Sequence, residues 1–191
     1  MTYYYFDTET AGLDPKKDKL IAAAFQKIDD GKPSGAFFVL REWEGGEIAM
    51  IRTLIAFGLL ATDSDGWYFI PVGTNLPFDI NFVMVRAEVN GIQKWSKDQA
   101  MNIMRSKQRL DIRDMLVLLN RMEFKGSRLR DWSDKPRDGS VVPELWKLGL
   151  FAEIDKYITE DRDAFFQVFG KLSKAFSRMS GEWRNDASED R

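Results

Sequence analysis

Phe6-Asp7-Thr8-Glu9-Thr10 ends a run of β-favouring residues that begins at Tyr3, and the fold of the whole chain turns on it. In an extended strand successive side chains alternate between faces, so Asp7 and Glu9, two apart, project from the same one. Two carboxylates so placed repel each other unless a cation lies between them or one takes up a proton. Taken alone, the pentapeptide is equally a strand that ends in polar turn residues.

Outward from this strand the pattern continues as a meander. Leu20 to Ile28 is an apolar run, and Ala36 to Leu40 is another after the turn signal Asp29-Asp30-Gly31-Lys32, which predicts a hairpin. Ile48, Ile51, Leu54, Ile55 and Leu59 then recur at helical spacing behind the Gly45-Gly46 break. Trp67 to Val72 predicts a fourth, buried strand running into Gly73-Thr74-Asn75-Leu76-Pro77, with a helix that begins near Asp79. Residues 98–106 and 111–123 are expected to be helical, and residues 125–140, rich in Gly, Ser, Lys, Arg and Pro, to form a long loop. A last helix is expected over residues 152–178 with one irregularity. Strand, strand, strand, helix, strand and then mostly helices describe an α/β fold with a mixed sheet. Residues 1–178 are expected to be one domain and residues 179–191 a polar, frayed tail.

At 191 residues the chain suits one well-packed domain rather than two. A net charge of -2 carries no general sign of a nucleic-acid coat protein. A site built on carboxylates would lower the net charge without making its rim acidic. The chain has no cysteine, which excludes disulfides and thiolate metal sites. It also has no histidine, which removes imidazole bases, His-ligated zinc and Ser-His-Asp triads, and leaves Asp, Glu, Tyr and Lys for chemistry. Neither a signal-peptide core nor an apolar run of membrane-spanning length is present, so the expectation is a soluble, cytoplasmic protein with no membrane partner.

Two further clusters attract attention. Asn75-Leu76-Pro77-Phe78-Asp79 leads into a helix, where an Asp is commonly no more than an N-cap. In Tyr157-Ile158-Thr159-Glu160-Asp161-Arg162-Asp163, Tyr157 and Asp161 are four apart and share a helix face. Ile158, Phe165, Val168 and Leu172 form the apolar stripe of that helix, and Asp161 falls inside it. An inward carboxylate needs a partner, because an unpaired buried charge costs several kcal/mol or more. The alternative is an inward Asp that caps a helix break near Thr159. Asp163 points roughly opposite and is expected to be solvated.

Together the three clusters resemble the DEDD superfamily of 3′–5′ exonucleases, whose ribonuclease H-like fold carries three motifs in this order. Asp7-Thr8-Glu9 looks like the family's Asp-x-Glu on the first strand. Asn75-Leu76-Pro77-Phe78-Asp79 resembles its Asn-x-x-aromatic-Asp. Tyr157 to Asp161 resembles the Tyr-x-x-x-Asp form of the third motif, similar to proofreading domains of DNA polymerases. The other large branch has His in that motif, and this chain has none. The resemblance spans residues 3 to about 172, although residues 85–150 carry no motif that can be matched.

The resemblance implies a mixed central sheet flanked by helices and hydrolysis of nucleotides from 3′ ends of single-stranded nucleic acid, DNA ahead of RNA. It implies two divalent cations, Mg²⁺ or Mn²⁺, held by Asp7, Glu9, Asp79 and Asp161, with Tyr157 and Glu9 orienting the attacking water. Hard cations of this kind suit an all-carboxylate site. Thr8, Leu13, Asn75 and Phe78 match positions that meet the terminal nucleotide, although Leu13 and Phe78 are equally core residues by composition. A polymerase or another replication or repair protein is the expected partner. Lys125, Arg128, Arg130, Lys135 and Arg137 are candidates for phosphate contact, or simply a solvated loop. Two other readings compete: a catalytically inactive nucleic-acid-binding module of the same fold, and an endonuclease or integrase-like enzyme, which has no reason to keep Tyr157.

Overall fold

The meander forms as the sequence predicts, from β1 (Tyr3–Thr10), β2 (Leu20–Asp29) and β3 (Lys32–Arg41), each antiparallel to the next. The computed structural model describes residues 1–135 and 137–189, with the side chains of Asp65 and residues 180–189 left aside. Two short helices follow, α1 (Glu42–Gly45) and α2 (Glu47–Ala56). β4 (Ile70–Gly73) then pairs parallel to β1 and leads into α3 (Leu76–Val89). The remainder is α4 (Lys97–Ser106), β5 (Leu110–Asp111), α5 (Ile112–Leu119), α6 (Leu129–Trp132), α7 (Val142–Lys147) and α8 (Phe151–Glu189). The five strands form one mixed sheet in the order β3-β2-β1-β4-β5. Among the described residues no helix is long and apolar enough to cross a membrane.

The sheet is covered on both faces. Phe6, Ala23 and Phe25 point to a cluster with Ile51 and Leu54 of α2 and Ile80 and Val83 of α3. Tyr5, Ala22, Ala24 and Val72 point the other way, to a cluster with Leu116 of α5, Leu129 of α6, Val142 of α7 and Ile158, Phe165 and Val168 of α8. Strand alternation decides the rest: Asp7 and Glu9 lie on the α8 side with Tyr5, and Thr8 lies on the α3 side with Phe6. On the α3 side a buried ion pair ties the layers, because Glu47 accepts from both Arg86 Nε and Nη2 (2.7 Å each) and from the Leu20 backbone N–H (2.8 Å).

β1 is the central strand, but its last half is not fully flanked. The parallel register ends at Tyr5 opposite Val72, so Phe6 to Thr10 runs on past β4. Gly73 closes β4 where a Cβ would stand 2.5 Å from the Phe6 carbonyl oxygen, so a side chain there would drive the two strands apart. A register shift between Glu9 and Thr10 marks a bulge on the other flank. Bulges of this kind re-aim side chains and end pairing.

Several boundaries differ from the expectation. Trp67 and Tyr68 belong to a 3₁₀ turn (Ser64–Tyr68) rather than to the fourth strand. The buried Lys107 ammonium fixes that segment by donating to the carbonyls of Gly58 (2.8 Å), Gly66 (3.1 Å) and Phe69 (2.8 Å). The helix expected over 111–123 ends at Leu119, and positive φ at Arg121 (55°) and Met122 (68°) turns the chain away. The 125–140 segment is a loop that includes α6 and a 3₁₀ turn at Gly139–Val141. α8 runs without the expected irregularity through Glu189, so the cap at a break near Thr159 does not exist. Of the expected tail, residues 190 and 191 lie outside the described residues.

Candidate active site

Three separate segments bring the acidic residues to the free end of β1. Asp7 is half-buried and Glu9 buried, both facing α8. Asp161 is only 5% exposed and Tyr157 3%, one turn apart on the inward stripe of α8. Asp79 lies in the first turn of α3, not at its cap, and is buried on the other side of β1. It is joined to the strand by Thr8 Oγ1, which donates to Asp79 Oδ1 at 2.5 Å. Alternation along β1 therefore gives each neighbouring helix its own link: Asp7 and Glu9 toward α8, Thr8 toward α3. Tyr5, on the α8 face as well, directs its hydroxyl at Asp161 Oδ2 (3.4 Å).

Lys135 enters this group from the loop before α7. Its ammonium donates to Tyr157 Oη (2.7 Å) and to Asp161 Oδ1, and it lies 4.7 Å from the centre of the Tyr157 ring. Its side chain is 11% exposed, so this is a nearly buried charge-assisted contact. The segment around it is latched to α8: Arg137 bonds Glu160 (3.0 and 3.1 Å) and Glu153 (3.1 Å), and Arg130 pairs with Asp138 (2.5 Å). Gly139 passes so close that a Cβ there would stand 3.1 Å from Tyr157 Oη.

Burial sets the electrostatics. Desolvation pushes the Asp7 carboxyl above its usual range, with the Lys135 charge opposing it. Glu9 and Asp79 are pushed up further, by burial first and then by the charge of Asp7. Burial, followed by Glu9 and Asp7, raises the Tyr157 phenol, so it is a neutral donor at any ordinary pH. The Lys135 ammonium is drawn down by burial and held up by Asp7 and Glu9. At the buried carboxyls themselves Lys135 opposes the effect of burial without cancelling it, so they remain short of positive charge. Oxygen donors short of positive charge fit a hard divalent cation. Among the described residues, no three acidic side chains stand close enough together to ligate one ion.

The pocket at this point is a cavity of about 340 Å³. Asp7, Glu9, Asp161 and Tyr157 line it together with Arg128, Arg130, Lys135 and Arg137, and Thr8 and Asn75 also border it. Asp79, Phe78 and Leu13 do not form its lining. Leu13 is 82% exposed on the β1–β2 connection, so it is not a core residue. Phe78 is half-buried against Phe82 at 5.5 Å, within the core on the α3 side. Asp163 is exposed, as its position on the helix requires.

Asn75 adopts the left-handed conformation (φ 62°, ψ 34°), which Asn tolerates better than most residues. Asp111 holds it there. Its carboxylate accepts from the backbone N–H of Asn75 and of Leu76, both at 2.9 Å, and from Arg113 N at 3.0 Å. Arg113 Nη1 in turn donates to Asn75 Oδ1 (2.9 Å). Sequence reasoning did not single out Asp111, Arg113 or Tyr5, and it took Lys135 only for a phosphate contact. The available signal for Asp111 was its place before an apolar helical repeat, as an N-cap.

No family profile and no curated protein matches the sequence. Solved structures do. The family B DNA polymerase from the hyperthermophilic archaeon Pyrobaculum calidifontis is 18% identical with a TM-score of 0.60, covering 94% of this chain and 24% of the polymerase. Exonuclease I in a zinc-bound E. coli complex with single-stranded DNA is 16% identical (TM-score 0.45, 67% of this chain and 33% of that one). Exonuclease I from Methylocaldum szegediense is 19% identical (TM-score 0.41, 62% and 29%). The chain thus spans about a quarter of the polymerase it matches. The mixed five-stranded sheet with helices on both faces is the ribonuclease H-like fold.

Proposed function

We propose that this chain is a metal-dependent 3′–5′ exonuclease acting on single-stranded nucleic acid, DNA ahead of RNA. The observation that carries the proposal is that Asp7, Glu9, Asp161 and Tyr157 line one pocket at the free end of β1, with Asp79 joined to the same strand through Thr8. Asp7, Glu9, Asp79 and Asp161 would hold two Mg²⁺ or Mn²⁺ ions once Lys135 gives up Asp161 and the carboxylates draw together, since as they stand no three of them could share one ion. When bound, such ions would lower the pKa of the attacking water so that it gives up its proton to solvent, and would offset the charge that develops on the leaving 3′ oxygen.

The chain's own residues account for the rest. Tyr157 stays protonated and donates its phenolic hydrogen, because burial and the carboxylates oppose its ionisation. Lys135 donates to the lone pair of the same oxygen, which leaves that hydrogen free to point at the water beside the scissile phosphate. Tyr5 and Lys135 together fix the Asp161 carboxylate, and Thr8 fixes Asp79. Arg128 and Asn75, which line the pocket, would receive a phosphate and a sugar or base. Exposed Leu13 is free to press on the terminal base, and Phe78 supports the groove from the core side.

The test is incubation of 5′-labelled single-stranded DNA and RNA with Mg²⁺ or Mn²⁺, with EDTA, and with an Asp7→Ala variant. A ladder shortening from the 3′ end, abolished by both controls, is the expected result. Intact substrate under every metal condition would sink the proposal, and internal cuts would point to an endonuclease.

A further inference from the structure

Next to the acidic pocket lies a second concavity of about 870 Å³, which shares Arg128 and Arg130 with it. Arg113 and Lys125 also line it, so four cations face two carboxylates, Glu123 and Asp131. Asp131 is engaged, since its carboxylate accepts the Arg128 backbone N–H (2.9 Å). Lys125 and Arg128 form no salt bridge among the described residues. Phe124 sits in the same lining and is 68% exposed.

An exposed phenyl ring on a slack loop would mean little, but this loop is built. Asn120 Nδ2 donates to the carbonyls of Glu123 (2.9 Å) and Lys125 (2.8 Å). Ser127 Oγ donates to the Glu123 carbonyl (2.6 Å), and Trp132 Nε1 to that of Gly126 (2.9 Å). Gly126, at φ 84°, takes the left-handed turn that the loop needs. The backbone on both sides of Phe124 is thus fixed by side chains while its own ring is left in solvent. A rigid aromatic beside free cations is how proteins hold a single strand without reading its sequence: bases stack on the ring and phosphates meet the charges.

We propose that this groove binds the strand 5′ to the scissile phosphate, with Phe124 stacking against a base, Lys125 meeting a phosphate a few nucleotides upstream, and Arg128 at the junction with the carboxylate pocket. It rests on the exonuclease reading above and adds to it a substrate-length requirement. An acidic protein partner would also find the cations, but continuity with the carboxylate pocket through Arg128 and Arg130 favours the strand that must enter that pocket.

The experiment compares kcat/KM for a dinucleotide and a dodecamer of oligo-dT, with Mg²⁺, in wild type, Phe124→Ala, Phe124→Trp and Lys125→Glu. Expected is wild-type preference for the dodecamer and a fall of about 5- to 100-fold on the dodecamer alone in Phe124→Ala, the range for losing one stacked base. Phe124→Trp should retain the preference. Lys125→Glu should weaken dodecamer binding most at low salt and reduce the salt slope by about one or more. Variants matching wild type on both substrates, or losing both equally, would overturn the proposal. If wild type cuts neither substrate, the exonuclease reading fails first. If it cuts both while the variants change nothing, only the groove fails.

Discussion

Lys135 Nζ lies 2.7 Å from Tyr157 Oη, and the same ammonium is paired with Asp161. One cation therefore organises both candidate residues of α8 and opposes the rise in the pKa of both Asp7 and Glu9. Removing it in Lys135→Met should raise those two carboxyls further. The acid limb of the pH–rate profile should move to higher pH, and turnover should fall at every pH. A profile with an unmoved acid limb would show that Lys135 does not act on the carboxylates.

Tyr157 is too strongly held in its neutral form to serve as a base. Tyr157→Phe keeps the ring in its nearly closed setting and loses the phenolic donor together with the acceptor of Lys135. Turnover should drop by about 10²–10⁴-fold, the range for a general acid–base contribution, while metal affinity measured by titration stays as it was. An unchanged rate would make Tyr157 a packing residue.

The pentapeptide at the end of β1 was legible because two carboxylates at a period of two must share a face, whatever surrounds them. Asp161 was legible for a related reason, as a charge inside an apolar helical stripe. Asp79 depended on motif resemblance, since the hydroxyl that holds it, Thr8 Oγ1, lies on a strand 71 positions away. Lys135 and Asp111 were illegible as partners because their roles are set by long-range contacts. Lys135 sits in a loop whose path is fixed only when Arg137 meets α8, and Asp111 in a two-residue strand too short to show any periodicity. Trp67 and Tyr68 misled for a local reason: β-favouring residues were captured by a turn built around Lys107.

Burial without enough positive charge makes the acidic group a source of instability, and its sign can be checked by pH. Asp7, Glu9 and Asp79 have raised folded-state pKa values. Above the ordinary carboxylate range, near about pH 4, the folded chain binds more protons than the unfolded one. Stability then falls as pH rises, until the raised folded values are passed. In EDTA the melting temperature should therefore decrease from pH 5 to pH 8, and Asp7→Asn should flatten that decrease. Added Mn²⁺ should raise the melting temperature of wild type at pH 8 and raise that of Asp7→Asn less. A metal-free protein that is more stable at pH 8 than at pH 5 would contradict the raised values.

Asp111 offers a test of the Asn75 loop that leaves every acidic pocket residue in place. Asp111→Ala removes the acceptor of three backbone N–H groups, two of which hold Asn75 and the start of α3. Unsatisfied donors of this kind cost about 1–3 kcal/mol where they are buried. The half-exposed position here puts the loss in melting stability toward the lower end. Asn75 should then leave its left-handed conformation, since Arg113 alone bonds its side chain. If Asn75 grips the terminal nucleotide, KM for single-stranded DNA should rise by roughly tenfold, about 1.4 kcal/mol, with kcat changed much less. Asp111→Asn keeps one acceptor oxygen and should fall between wild type and Asp111→Ala on both measures. A loss of kcat with constant KM would place the effect on the carboxylates at the end of β1 and would remove Asn75 from the substrate contact.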